Sequence, residues 1–253
     1  MDLELTEREF MYPGHVGCPG CGAAIAMRFV LKALGEKMMM VLPACCWSVI
    51  AGPYPSTTLK IPVIHSAFET GGAVASGVRA ALDMKGDTET TVVTWAGDGG
   101  TFDIGFQALS GAVERNEDFI YVCYDNEAYM NTGIQRSSST PYGAWTTTTP
   151  GHEWKKMRKK NIVEALVSCQ FPQMFYGIRS FRCIHINKAN SILKSPFGGK
   201  QAGSPCQPGT VRAARRRVRG QRLRHEVRRL EVAQLVGAVG ELDADRVHLS
   251  LLT

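Results

Sequence analysis

The sequence lacks the features of an exported or membrane-bound protein. None of its 253 residues belongs to an apolar run long enough to span a bilayer. Its amino terminus, MDLELTERE, is acidic, whereas an export signal is basic and then apolar. Without such a signal, the eight cysteines are expected to be reduced thiols or metal ligands and not a disulfide framework. These features predict a cytoplasmic protein with no membrane partner.

The carboxyl-terminal part of the chain lacks lysine and aromatic residues. Residues 201–253 contain ten arginines and no lysine, and no aromatic residue follows Phe197. We therefore divide the chain into a domain at 1–167 and an atypical arginine-rich segment at 168–253. That segment could be a basic tail, a divergent folded half, or a disordered product of a reading frame lost near residue 168, and the abrupt change favours the last. Arginines without aromatic interleaving do not favour a nucleic-acid partner.

A strand–helix–strand pattern surrounds a glycine-rich stretch at 97–100. Apolar and β-branched runs at 91–96 and 119–124 predict two buried strands, and helical spacing of apolar residues between them predicts a helix. Asp98 and Asn126 each follow one of these strands. They should therefore meet at the carboxyl edge of a parallel sheet, where open α/β folds bind ligands. We predict an α/β fold with a mostly parallel sheet and helices on both faces.

The residues at this edge suit a diphosphate and Mg²⁺. Gly97, Gly99 and Gly100 allow the backbone to approach a ligand closely, and the helix that follows offers its positive end to an anion. Asp98 and Asn126 supply hard oxygen ligands, which Mg²⁺ combines with carbonyl and phosphate oxygens. A Gly-Asp-Gly turn alone is also common as a structural turn. Followed 28 positions later by asparagine, it is typical of thiamine-diphosphate enzymes.

Cysteines are predicted to reach the same edge of the sheet. Cys18 and Cys21 form a C-x-x-C pair on a Gly/Pro loop, which suits half a zinc site, a redox disulfide or part of an iron–sulfur site. A predicted strand at 38–42 delivers Cys45 and Cys46 at its carboxyl end. Soft thiolates beside a charged cofactor favour electron transfer. Free cysteines are also common core residues, and we assign that role to one of the adjacent pair.

Five segments of the chain resemble the β subunits of 2-oxoacid:ferredoxin oxidoreductases, most closely those of the pyruvate type. They are GHVGCPGCG, CCWSVIAGPYP, IHSAFETGGAVASGVRAAL, WAGDGGTFDIGFQALSGAVERN and YDNEAYMNTGIQRSS, within about residues 10–165. The resemblance implies a thiamine-diphosphate-binding fold with a [4Fe–4S] cluster near the cofactor. It further implies oxidative decarboxylation of a 2-oxoacid such as pyruvate, with coenzyme A as acyl acceptor and ferredoxin as electron acceptor. An α subunit and ferredoxin-like γ subunits would be partners, without which the chain is expected to be inactive.

The resemblance also implies the cluster ligands. Cys18, Cys21 and Cys46 would be three of them, which leaves Cys45 for packing. The fourth would be Cys206, because SPCQPG is similar to the late Pro-Cys-x-x-Gly loop of the family. Chance is an equal competitor for that match, and the fallback candidates are Cys169 and Cys183. Cys123, within a predicted strand, is expected to be core.

The cofactor residues implied by the resemblance lie after the predicted strands. Asp98, Asn126 and the carbonyl group of Ala128 would hold Mg²⁺, and Asn131 would approach the diphosphate or the substrate. His65, after a predicted strand at 59–64, could line the site or form a surface turn.

Residues 132–160 predict a long surface loop that ends in a basic run. The lysines and arginine at 155–160 are expected to form a solvated helix face, with a docking patch for an acidic electron carrier as the alternative. Two other functions stay open for the whole chain. A non-oxidative thiamine-diphosphate decarboxylase or synthase would have no use for the cysteines, and a truncated or frame-shifted relic would bind nothing.

Overall fold

A computed structural model describes residues 6–168 and 182–187 of the chain, and they contain a five-stranded parallel sheet. This confirms the predicted α/β fold class. The strands are β1 Met38–Pro43, β2 Val63–Ser66, β3 Thr91–Gly97, β4 Ile120–Asp125 and β5 Arg182–Asn187. The α-helices are α1 Gly22–Leu34, α2 Cys46–Ile50, α3 Gly71–Met84, α4 Phe106–Glu114 and α5 Ile162–Ser168. Within the described ranges, no helix is long and apolar enough to cross a membrane.

The strand order is β2-β1-β3-β4-β5, and all neighbours are parallel. All five carboxyl ends therefore lie along one edge. The chain leaves β1 towards β2 on one side and later adds β3 on the other, so the direction of winding reverses between β1 and β3. Open α/β sheets bind ligands at such a reversal. Here β1 ends just before Cys45 and Cys46, and β3 ends just before Asp98.

Residues of β3 contribute alternately to two separate cores. Val93 and Trp95 pack with apolar residues of α1 on one face of the sheet. Val92 and Ala96 pack with apolar residues of α3 and α4 on the other face. Both sides of the strand are buried, which explains why its sequence is continuously apolar and does not alternate.

Small residues bring α3 and α4 into close contact, as the Ala/Gly-rich sequence of α3 predicts. A Cβ atom on Gly72 would lie 2.6 Å from the carbonyl oxygen of Ala108 in α4. This contact fixes α4, and hence the turn that precedes it, against the body of the sheet.

Two predicted elements differ in the structure. The strand expected at 59–64 is β2 at Val63–Ser66, because Pro62 has no N–H to donate to a ladder and Leu59 makes only an isolated bridge. The single helix expected after the glycine-rich stretch begins as a π-helical turn, Gly99–Asp103, and continues as α4. A Cβ atom on Gly105 would collide with the carbonyl oxygen of Gly100, so this wide turn requires glycine where it meets α4.

The prediction of a surface loop at 132–160 is wrong in part. Ser137, Ser139, Thr140 and Lys155 are buried, and no helix forms at 154–160. The ammonium group of Lys155 donates hydrogen bonds to the carbonyl groups of Ser138 and Thr140. The basic run is therefore not a solvated helix face, since some of its lysines hold this segment against the domain.

The sheet extends beyond residue 167, where the sequence placed the end of the domain. Strand β5 pairs in parallel with β4, from Ile120 opposite Arg182 to Asp125 opposite Asn187. It contains Cys183, one of the fallback cluster ligands. Cys169 and Cys206 lie outside the described residues.

Candidate functional site

Asp98 lies buried where β3 passes into the π-helical turn. The hydroxyl group of Ser137 donates a hydrogen bond to its Oδ2. Burial raises the pKa of this carboxyl group to about 7; the Ser137 hydrogen bond opposes the shift, and the nearby Asp125 adds to it. Asp98 is therefore a buried carboxyl group whose ionised form a bound cation would stabilise.

An oxygen atom of Asp98 meets two others, from the Asn126 side chain and the Ala128 carbonyl group. With its carbonyl end turned towards Asp98, the Asn126 side chain places Oδ1 2.9 Å from Asp98 Oδ1 and 2.8 Å from the carbonyl oxygen of Ala128. In this orientation the three acceptors face one another, an arrangement that a cation between them would stabilise; with the amide turned over, its nitrogen donates hydrogen bonds to both oxygens instead. Octahedral Mg²⁺ with ligands at about 2.1 Å has neighbouring oxygens about 2.9 Å apart. The two separations from the Asn126 position therefore suit neighbouring ligands of Mg²⁺.

The glycines after Asp98 allow aromatic residues to pack against the turn. A Cβ atom on Gly99 would lie within 3.0 Å of the Tyr129 ring, and one on Gly100 would lie 3.3 Å from the carbonyl oxygen of Phe68. The Tyr129 hydroxyl group donates to Asp103 Oδ2 at 2.8 Å, which holds the ring in place. Tyr129 in turn fixes the backbone next to Ala128.

Cys46 lies beside the same amide group. Asn126 Nδ2 is 3.8 Å from Cys46 Sγ. The sulfur atom also accepts hydrogen bonds from the Tyr124 hydroxyl group and from the backbone N–H of Asn131. Burial raises the pKa of Cys46, these hydrogen bonds oppose the shift, and the nearby Cys21 sulfur adds to it. The donors around the sulfur favour the thiolate, but burial outweighs them and the pKa of Cys46 stays above its ordinary value.

Cys18 and Cys21 lie on the loop before α1, where Cys18 is exposed and Cys21 is half-buried. The Cys21 N–H donates to the Cys18 carbonyl group at 3.0 Å, which makes the loop a tight turn. Across the described ranges, no three Cys, His, Asp or Glu side chains are placed to share one metal ion. The thiols therefore form no closed single-ion site there, whereas an iron–sulfur cluster is several ångströms wide and spaces its ligands further apart.

Comparison with known proteins identifies the family. A family model described as "Thiamine pyrophosphate enzyme, C-terminal TPP binding domain" matches residues 44–188. The ketoisovalerate oxidoreductase subunit VorB of Pyrococcus abyssi is 54% identical over 216 residues, which cover 82% of this chain and 70% of that protein. The chain belongs to the β subunits of the 2-oxoacid:ferredoxin oxidoreductases. This confirms the family predicted from the sequence.

A second relative and a solved structure agree with this family. The pyruvate synthase subunit PorB of Methanothermobacter thermautotrophicus is 60% identical over 148 residues, or 58% of this chain and 51% of that protein. The 2-oxoglutarate:ferredoxin oxidoreductase from Magnetococcus marinus, solved with 2-oxoglutarate, coenzyme A and succinyl-CoA bound, aligns with a TM-score of 0.57 at 21% identity. That alignment covers 70% of this chain and 65% of the solved chain, and it supports the fold.

The β-subunit residues predicted from sequence are not all equally close to the cation site. Asp98, Asn126 and Ala128 converge, and Cys46 adjoins them through Asn126. His65 is exposed near the carboxyl end of β2, beyond β1. The side chain of Asn131 is also exposed, and its backbone N–H reaches Cys46.

Several polar residues beneath the cation site were missed by sequence reasoning. The Ser139 hydroxyl group donates to Asp125, whose Oδ2 also lies 2.7 Å from Lys159 Nζ. Lys159 lies 3.0 Å from Glu127 Oε1 as well. Asp125 at the end of β4 could have been noted from the Asp-Asn pair after that strand, but a serine-rich loop and a basic run carry no signal of such pairing. Together these residues hold the 137–140 segment under Asp98.

Proposed function

We propose that this β subunit holds Mg²⁺ through Asp98 Oδ1, Asn126 Oδ1 and the Ala128 carbonyl oxygen, and thereby binds the diphosphate of thiamine diphosphate. The observation that carries the proposal is the 2.8–2.9 Å spacing of these oxygens around a buried carboxylate. Gly97, Gly99 and Gly100 would admit the diphosphate to the backbone at the start of the π-helical turn. The match to a thiamine-pyrophosphate-binding family model supports the same cofactor.

The proposal assigns a [4Fe–4S] cluster to Cys18, Cys21 and Cys46, with Cys206 as the fourth ligand. It is supported by the position of Cys46, half-buried beside Asn126, with the Cys21 sulfur nearby and hydrogen-bond donors around Cys46. Such donors are typical of cluster thiolates, whose reduction potentials they set. Cys45 is proposed to serve packing, since it is partly buried against the core on the α1 face of the sheet and its burial raises the pKa of the thiol.

The reaction we propose is the oxidative decarboxylation of a 2-oxoacid, pyruvate in the first instance, to acyl-coenzyme A. When bound, thiamine diphosphate supplies the electron sink for the loss of carbon dioxide. The chain's own part would be to anchor the diphosphate through the cation ligands, while Phe68 and Tyr129, which pack edge to face beside the glycine turn, would shield it from water. Asn131 and His65 are proposed to line the approach to the substrate.

The site is proposed to be completed by partner subunits. The proposed partners are an α subunit, ferredoxin-like γ subunits, coenzyme A and ferredoxin. The names of the relatives VorB and PorB describe each of those two proteins as a subunit, which supports a multi-subunit complex. The relatives include subunits of ketoisovalerate oxidoreductase and of pyruvate synthase, so branched 2-oxoacids are the natural competitors of pyruvate in a substrate test.

Metal analysis tests the cluster assignment directly. The full chain is purified anaerobically with its partner subunits, and iron, sulfide and zinc are measured in the wild type, Cys18→Ser and Cys123→Ser. Because Cys123 is buried in β4, its variant is the matched control. We expect Cys18→Ser to lose about four irons with equivalent sulfide relative to the wild type and to Cys123→Ser. Equal iron in all three proteins, or zinc in place of iron, would contradict the assignment.

A further inference from the structure

The Asn126 amide group has two ends that face different partners. In one orientation its oxygen lies 2.9 Å from Asp98 Oδ1 and 2.8 Å from the Ala128 carbonyl oxygen, and its nitrogen lies 3.8 Å from Cys46 Sγ. In the other orientation the nitrogen takes the first position and donates hydrogen bonds to both oxygens. The two orientations differ by a half-turn about the terminal side-chain torsion, which is broad and roughly two-fold in asparagine.

A cation decides between these orientations. Without a cation, the amide nitrogen satisfies the two acceptors, Asp98 and the Ala128 carbonyl group, and the carbonyl end faces Cys46. With a cation among the three oxygens, the amide oxygen becomes a ligand, because a metal ion attracts oxygen lone pairs and repels N–H groups. The N–H₂ group must then turn towards Cys46 Sγ.

Each orientation places a different group against the sulfur atom. The Tyr124 hydroxyl group and the Asn131 N–H reach Cys46 from fixed positions, Tyr124 being stacked on Trp95 at a ring separation of 6.1 Å. The Asn126 amide is the third partner, and it alone changes from acceptor to donor with the cation. Hydrogen bonds to cluster sulfurs favour the reduced cluster, because that state carries more negative charge.

We propose that Asn126 couples cofactor loading to the reduction potential of the cluster at Cys46. With Mg²⁺ and thiamine diphosphate bound, the amide N–H would face the sulfur and make the cluster a better acceptor for each of the two electrons that oxidation of the 2-oxoacid releases one at a time. Before loading, the amide oxygen faces the sulfur and disfavours reduction. This inference rests on the proposed function, since it needs both the cation and the cluster.

Thermodynamic linkage makes the coupling reciprocal. If loading raises the potential, reduction must tighten the binding of Mg²⁺ and thiamine diphosphate by the same factor. A tenfold change in affinity corresponds to about 59 mV for a one-electron couple. The potential shift and the ratio of the two dissociation constants are independent measurements that must agree.

The experiment is a redox titration of the anaerobically purified complex, followed by the electron paramagnetic resonance signal of the reduced cluster. It is run with and without Mg²⁺ and thiamine diphosphate on the wild type, Asn126→Asp and Tyr124→Phe. Asn126→Asp keeps an oxygen ligand for the cation and removes the N–H donor. Tyr124→Phe removes a donor whose position does not depend on the cation, and is the matched control.

We expect loading to shift the wild-type potential to more positive values. Tyr124→Phe should start from a more negative potential and show the same positive shift, whereas Asn126→Asp, measured at a cofactor concentration that saturates it by calorimetry, should lose the shift. An equal shift in Asn126→Asp, or no shift in a loaded wild type, would overturn the coupling. The wild-type dissociation constants of the oxidised and dithionite-reduced complex provide the second test, and their equality would also overturn it.

Binding and iron content separate this inference from the proposed function. Isothermal titration calorimetry reports cofactor binding, and iron analysis reports the cluster. If the wild type binds Mg²⁺ and thiamine diphosphate and holds iron while its potential stays constant, the coupling is wrong and the function stands. If it binds no cofactor or holds no iron, the function fails, and the coupling fails with it.

Discussion

The cation site and the C-x-x-C loop differ in how firmly the chain holds them. Asp98 is buried and fixed by Ser137, and the segment beneath it is tied to Asp125 through Ser139. Cys18, in contrast, is exposed on a short loop. A small cation needs ligands set within about 3 Å of one another before it arrives. The proposed cluster is larger and would be inserted from outside, which an exposed Cys18 permits.

The largest expected effect is that of Asp98→Ala, which should alter the proposed cation site and leave the C-x-x-C loop unchanged. Asp98→Ala removes the charged ligand and should abolish binding of thiamine diphosphate in the presence of Mg²⁺. Because Cys18 and Cys21 do not contact Asp98, the iron content should stay at the wild-type value. Calorimetry and iron analysis on the same preparation check both statements. Wild-type cofactor affinity in the variant would refute the cation assignment.

The next prediction tests whether a buried ion pair makes the cation site rigid. Lys159→Met leaves Asp125, whose side chain is fully buried, without its ammonium partner. We expect a loss of about 3 kcal/mol in the free energy of unfolding, since breaking a buried ion pair by removing one partner is strongly destabilising. Denaturant unfolding measures it. Lys156→Met is the control, because Lys156 is 72% exposed and pairs with the exposed Glu153, and it should stay within about 0.5 kcal/mol of the wild type.

A pair of glycine substitutions tests the packing around the π-helical turn. Gly99→Ala forces a methyl group against the Tyr129 ring, which its hydrogen bond to Asp103 prevents from moving freely. We expect a cost of about 1–3 kcal/mol in stability and weaker cofactor binding. Gly77→Ala, in α3, meets nothing within 4 Å and should stabilise the chain by about 0.5–1 kcal/mol. A similar stability for the two variants would contradict the packing described.

The smallest expected effect is a pH dependence confined to the cation site. Mg²⁺ needs the ionised form of Asp98, whose pKa is raised to about 7, so cofactor affinity should fall about tenfold from pH 8 to pH 6. In the cofactor-free chain the sign is opposite. Because the folded-state pKa exceeds the ordinary value of 3.8, the Asp98 contribution to stability is present below pH 4 and is lost as pH rises through 7. Calorimetry at three pH values measures the cofactor affinity, and the iron content of the same samples shows whether the rest of the protein is intact. An affinity that does not change with pH would contradict the prediction.

The residues that sequence reasoning placed correctly lie at strand ends. Asp98 and Asn126 were predicted to meet because a short apolar run predicts a parallel strand and the carboxyl ends of such strands share one edge. The cysteine pair after β1 follows the same rule, since strand order brings β1 beside β3. Local patterns and one topological rule were enough for these residues.

The residues that sequence reasoning misplaced depend on contacts distant in the chain. Ser137 bonds to Asp98 across 39 positions, and a serine in a polar loop gives no sign of its partner. Lys155 resembles a solvated lysine in sequence, yet it is buried because backbone carbonyl groups of its own loop surround its ammonium group. Such partners are set by the path of the loop, which neither periodicity nor composition specifies.

The ligands of the proposed cation site meet only when β3 and β4 pair in the correct register. Gly97 lies opposite Tyr124, and the three oxygens meet just past that pair. A slip of one residue between the strands would displace the ligands by about 3.3 Å and turn their side chains to the opposite face. No single Mg²⁺ could then bridge them. If the proposed site binds the cofactor, only correctly paired chains gain stability from it by mass action.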